Sequence, residues 1–136
     1  MARLEAQSKL LYYPTPNSVV DLLSTWFKVT QPVRLADPCC GTGEALRRFA
    51  NGLGMQFPVE TWGVELSYSR AQEAAKVLDR VLPISFYSLT TSKWSPASVG
   101  LVWNNAPYDW SEFQERDSKC DLTHNFAALA RLCLQM

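Results

Sequence analysis

The sequence predicts an α/β fold: a mostly parallel sheet of about four strands with helices on both faces. Short apolar runs of strand length alternate with stretches of helix formers along the chain, and residues 99–103 are continuously apolar, as suits a strand covered on both sides. A turn rich in Pro and Gly follows the first strand candidate directly, the strand–loop–helix step from which parallel sheets are built. With 136 residues and no repeat, low-complexity tract or linker, 1–136 reads as a single domain around one core.

Each element has a local reason. Asn17 precedes Ser-Val-Val-Asp-Leu-Leu, and its side-chain oxygen suits the free amides of a first turn, which predicts a helix over 18–28. Beyond Pro32, residues 33–37 form the first strand candidate and 44–51 carry helix formers, with Gly52 and Gly54 as the stop. Residues 59–65 predict a second strand, and Ser67 is placed to cap a helix over 70–80. Residues 82–87 predict a third strand and 99–103 a fourth, with Thr90-Thr91-Ser92 and Pro96 in the loop between them. After a polar stretch, Leu122, Phe126, Leu129 and Cys133 recur at helical spacing over 121–134.

Composition narrows the class. The apolar fraction of 47% and charged fraction of 19% fit a globular domain and exclude a disordered chain. Thirteen basic residues balance thirteen acidic ones, so the charge total carries no basic surplus for nucleic acid. No apolar stretch approaches the roughly 20 residues needed to span a bilayer. Residues 1–9 lack the apolar centre of a secretory signal, which makes a cytoplasmic location the default. Cys39, Cys40, Cys120 and Cys133 lack zinc-site spacing and read as reduced thiols, with no metal centre.

Three stretches carry chemistry. In Asp37-Pro38-Cys39-Cys40-Gly41-Thr42-Gly43, glycines at a strand-to-helix turn let a ligand approach the backbone, and amides at the helix start can hold a carboxylate. An acid at the strand end can meet the accompanying cation of an amino acid. Alone, Gly41-x-Gly43 is shared by many nucleotide folds and also fits a tight turn without a ligand. Glu65 closes the second strand candidate, 22 residues after Gly43, where a carboxylate can accept both ribose hydroxyls of an adenosine-containing ligand. Asn105-Ala106-Pro107-Tyr108 follows the fourth. There an amide oxygen and a backbone carbonyl can accept both hydrogens of an amine while Tyr108 stacks on a flat ring, though the tetrapeptide by itself also fits a simple turn.

In order and spacing these stretches resemble the motifs of Rossmann-like (class I) amino-methyltransferases with an Asn-Pro-Pro-Tyr signature, such as DNA adenine methyltransferases. Tyr12-Tyr13-Pro14-Thr15-Pro16 resembles the segment that precedes the first helix in that family and covers the methionine end of the cofactor, so the resemblance spans roughly 11–110. It implies a methyltransferase-like, cofactor-binding N-terminal half that uses S-adenosylmethionine to methylate an amino nitrogen, with adenine in DNA as substrate. The implied cofactor-binding set is Tyr13, Thr15, Asp37, Pro38, Cys39, Gly41, Thr42, Gly43, Glu65, Leu66 and Asn105. Asn105, Ala106, Pro107 and Tyr108 form the implied catalytic set. The target base would leave its duplex to reach them.

The sequence departs from that pattern in three places. Ala106 stands where the signature has its first Pro. Residues 88–92 offer hydroxyls and Leu89 where an acid or amide would contact the cofactor adenine. The later strands of the family's sheet are missing after the fourth, which predicts an apolar edge covered by self-association or a partner subunit that would also carry the nucleic-acid surface. Other readings are a catalytically inactive methyltransferase-like assembly module, methylation of RNA or of a protein side-chain amide, and a nicotinamide-dependent oxidoreductase. The last leaves 105–108 unexplained. His124 reads as a surface or capping residue, Arg47 and Arg48 as a solvated helix face, and the tryptophans as core or rim, with Trp110 able to line the site.

Overall fold

The computed structural model describes residues 13–88 and 98–105. In chain order the elements are α1 (Asn17–Ser24), β1 (Val33–Asp37), α2 (Glu44–Gly52), β2 (Val59–Val64), α3 (Tyr68–Ala74), β3 (Arg80–Leu82), a 3₁₀ turn (Phe86–Ser88) and β4 (Leu101–Val102). The strands form one sheet in the order β3-β2-β1-β4, and every pair is parallel. The chain therefore steps outward from β1 through β2 to β3 and returns to the other side of β1. This puts a topological switch point between β1 and β4, where open parallel sheets hold their ligands at the carboxyl ends of the strands.

Alternation along β1 separates two cores. Leu35 faces Val20 of α1, Leu46 and Phe49 of α2, and Ala74 of α3, together with Leu78 and Trp103. Its neighbour Ala36 faces Val64, Phe86 and Val99 on the other side. Phe49 anchors the first core, its ring 4.9 Å from Trp103 and 5.7 Å from Phe27. Arg48 of α2 holds α1 through both carboxylate oxygens of Asp21.

Several boundaries differ from the sequence expectation. The first helix starts at Asn17, preceded by Pro16, so Asn17 is inside the helix and supplies no cap. It ends at Ser24 and not at 28: the hydroxyls of Ser24 and Thr25 return to the carbonyls of Asp21 and Leu22, competing with continued helix. The helix after Ser67 spans Tyr68–Ala74 and not 70–80. Asp79 accepts the amide and hydroxyl of Thr61 in β2, which draws the chain into β3 at Arg80. The third strand is Arg80–Leu82 and not 82–87, because Pro83 has no N–H to extend the ladder and Phe86–Ser88 turns. β4 is shorter than 99–103, although Gly100 and Trp103 still donate to Arg34 and Ala36 of β1 on either side of it. The helix expected over 121–134, the loop at 90–96 and the residues of the N-terminus before Tyr13 lie outside the described residues, as do His124, Cys120 and Cys133. Among the described residues no helix is long and apolar enough to cross a membrane.

Candidate functional site

Because all four strands run the same way, the ends of β1, β2 and β4 lie on one rim, and the described residues of the three stretches, of which Asn105 alone represents the third, are gathered there. Asp37 ends β1 with 3% of its surface exposed. Its Oδ1 accepts the Cys39 amide at 2.8 Å. Burial pushes the Asp37 carboxyl up to about 7; the Cys39 amide opposes the shift and the Glu65 charge adds to it. Pro38 is fully buried, and the Cys40 amide donates to the carbonyl of Val64 at 2.9 Å, which pins the turn to the end of β2. Both thiols are pushed up by burial and then by the Asp37 and Glu65 charges, so Cys39 and Cys40 stay protonated and are poor nucleophiles.

The turn requires its glycines. Gly41 has φ 57° and Gly43, immediately before α2, has φ 79°. A Cβ on Gly43 would lie 2.8 Å from Leu78 Cγ, so the position is closed by packing as well as by backbone conformation. Thr42 between them is half-buried.

Glu65 follows β2 and is 4% exposed. Its Oε2 accepts the Gly41 amide at 3.1 Å, a direct bond between the first and second predicted stretches. Its Oε1 accepts the Ser67 amide at 2.7 Å and the Arg70 guanidinium at 3.1 Å from Nε and 2.7 Å from Nη2. Leu66, expected at the cofactor, has 68% of its surface exposed. Arg70 lies outside the three predicted stretches. The signal was an arginine five residues beyond the acid, in the first turn of the helix that opens there.

On the other side of β1, Trp103 donates to the Ala36 carbonyl at 2.8 Å, and Asn105 lies two residues further on. Its Nδ2 donates to Thr15 Oγ1 at 2.9 Å and faces the Tyr13 carbonyl at 3.4 Å. The segment before α1 therefore reaches the end of β4, where the Thr15 hydroxyl and the Tyr13 carbonyl both meet the Asn105 amide nitrogen. Thr15 and Asn105 also line a cavity of about 350 Å³, together with Val19, Leu23, Phe27 and residues of β1, α2 and β4 such as Leu35, Phe49 and Leu101. Ala106, Pro107, Tyr108 and Trp110 lie outside the described residues.

Arg47 is half-buried and not part of a solvated face: it donates to Thr61 Oγ1 at 2.7 Å, to Asp79 at 3.0 Å and to the Val77 carbonyl at 2.6 Å. Arg48 is exposed, with its charge on Asp21.

The model of an uncharacterised methyltransferase family (DUF6094) matches residues 1–130. No curated protein matches the chain. Among solved structures it is similar to a protein from Listeria monocytogenes assigned as a class I S-adenosylmethionine-dependent methyltransferase, with TM-score 0.67 and 17% identity over 88% of this chain and 42% of that one. A modification subunit of a protein assigned as a type I restriction enzyme from Vibrio vulnificus matches with TM-score 0.60 and 15% identity, over 90% of this chain and 30% of that one. The mycolic acid cyclopropane synthase CmaA1, in complex with SAH and CTAB, matches with TM-score 0.58 and 18% identity, over 86% and 38%. The chain thus spans less than half the length of each, and the shared architecture is the Rossmann-like methyltransferase fold.

Proposed function

This chain belongs to that uncharacterised methyltransferase family, and on that premise we propose that it forms the cofactor-binding half of an S-adenosylmethionine-dependent N-methyltransferase whose substrate is the exocyclic amine of adenine in DNA. The observation that carries the reading is the common rim: the Gly41 turn and Glu65 are bonded to each other, and Asn105 follows β4 on the far side of β1. A modification subunit among the similar folds supports the choice of DNA.

The residues present fit the cofactor. Two buried carboxylates end adjacent strands, and a ligand with an ammonium group and a ribose diol matches both. Asp37 and the 41–43 turn would hold the amino-acid end, and Glu65 the ribose hydroxyls. When bound, the cofactor supplies an activated methyl group on sulfur. Asn105 accepts a hydrogen bond from the substrate amine and fixes the direction of its lone pair. The remaining work is orientation and exclusion of water, done by the segment at Tyr13 and Thr15 that closes over the end of β4.

Calorimetric titration with S-adenosylmethionine and with a nicotinamide dinucleotide tests this. The expected result is saturable binding of the first alone, weakened about 30-fold or more in Glu65→Ala by loss of hydrogen bonds to a charged acceptor. Methyl transfer to adenine-containing oligonucleotides, lost in Asn105→Ala, tests the substrate. Absence of cofactor binding overturns the reading.

A further inference from the structure

We infer that Arg70 is a displaceable stand-in for the cofactor ribose, a side-chain latch that occupies Glu65 until the diol of an adenosine ligand takes its place. This rests on the proposed role of Glu65 as the ribose acid.

A carboxylate offers about four acceptor positions, two on each oxygen. Oε1 of Glu65 already receives three donor nitrogens, from the Ser67 amide and from Nε and Nη2 of Arg70, while Oε2 receives the Gly41 amide. A ribose brings two hydroxyl donors to the same group, more than the remaining capacity allows, so at least one present donor must leave. The Gly41 and Ser67 amides are fixed in the backbone: Gly41 lies in the turn pinned to β2, and Ser67 immediately precedes α3. Arg70 reaches Glu65 on a flexible stem with 18% of its side chain exposed, and it is the donor able to swing outward.

The pairing has an electrostatic reason. A carboxylate with only 5% of its side chain exposed is costly to keep without a counter-charge, and the guanidinium supplies one where the ligand will later sit. Release of Arg70 also moves a cation away from a pocket that receives a cationic sulfonium, so the same movement clears both the hydrogen-bond sites and a like charge.

The latch predicts that removing Arg70 strengthens binding of ligands that carry the diol and of no others. Isothermal titration of the full chain with adenosine, S-adenosylhomocysteine and 2′,3′-dideoxyadenosine is compared in wild type, Arg70→Met and Arg70→Lys. Arg70→Met is expected to bind the first two about fivefold or more tighter and the dideoxy ligand unchanged, with Arg70→Lys in between. Should Arg70→Met fail to fold, the Nε–H resonance of Arg70 in the wild type gives the same answer. It shifts to a solvent-exchanging position on addition of S-adenosylhomocysteine and stays in place with the dideoxy ligand. Weaker or unchanged binding of adenosine and S-adenosylhomocysteine in Arg70→Met, or an Nε–H that stays protected in the complex, overturns the latch while leaving Glu65 as the ribose acid. No binding of S-adenosylhomocysteine to wild type removes both.

Discussion

The side-chain amide of Asn105 donates to the hydroxyl of Thr15 at 2.9 Å, joining the end of β4 to the segment before α1 across 90 residues of sequence. The Tyr13 carbonyl lies 3.4 Å from the same nitrogen. A backbone carbonyl can only accept, so the nitrogen of Asn105 faces the N-terminal segment and its oxygen is turned the other way. Under the proposed function, Thr15 would be a positioning residue that sets which end of the carboxamide meets the amine.

Thr15→Val removes that acceptor while keeping the shape of the side chain. With adenine-containing DNA as substrate, kcat is expected to fall about tenfold, equivalent to one hydrogen bond of about 1.4 kcal/mol. KM for S-adenosylmethionine should stay nearly constant, and Thr15→Ser should restore the rate. Steady-state kinetics of the three proteins separate the possibilities. A rise in KM with kcat preserved would place Thr15 on the cofactor instead.

Asp37 predicts a pH dependence whose sign follows from its burial. In the folded protein the carboxyl is raised to about 7 from an ordinary 3.8, so it holds a proton over a window where the unfolded chain does not. Its contribution to stability is therefore present in full below about 3.8 and is lost as pH rises through about 7. Glu65 is the charge beside it, along with the Cys39 amide that Oδ1 accepts. In urea titrations from pH 5 to 8, Asp37→Asn should gain stability over wild type as pH rises, since the amide needs no charge. A cationic ligand group favours the ionised form, so affinity for S-adenosylmethionine should increase with pH up to about 7 and then level off, with one proton released per molecule bound in the acidic range. A flat affinity profile would show that no ligand cation meets Asp37.

The sequence made β1 fully legible and β2 nearly so, because both are compact runs bounded by turn residues, and the motif residues fall where those strands end. The rim itself was legible for the same reason: parallel strands put every strand-to-helix turn on one side. Interactions far apart in sequence were not legible. Helical propensity over 70–80 is real, but Asp79 finds the backbone and hydroxyl of Thr61 18 residues away, and that contact overrides the local preference. Pro83 was visible and should have ended the third strand. Arg47 looked like surface because nothing in its own helix reveals Thr61 or Asp79 beside it.

That same cluster supports a stability prediction. Thr61 is fully buried in the middle of β2, and its amide and hydroxyl both meet Asp79 Oδ2 at 2.7 Å, while Arg47 reaches the same oxygen from α2 at 3.0 Å. One carboxylate thus ties α2, β2 and the start of β3 together. Asp79→Ala leaves the buried Thr61 amide without this acceptor and is expected to lower unfolding free energy by about 1–3 kcal/mol. Asp79→Asn keeps an oxygen for Thr61 but loses the charge against Arg47, and should lose less. Burial raises the Asp79 pKa, but the Thr61 hydroxyl and amide and then Arg47 hold it below 3.8 on balance. Its stabilising contribution is thus present above the ordinary carboxylate range and lost as pH falls below it, opposite in sign to that of Asp37. Urea titrations at pH 7 and at about pH 3, below the ordinary value of 3.8, check both points: the gap between wild type and Asp79→Ala should narrow at the lower pH, and an equal gap at both would show that the carboxylate acts only by its shape.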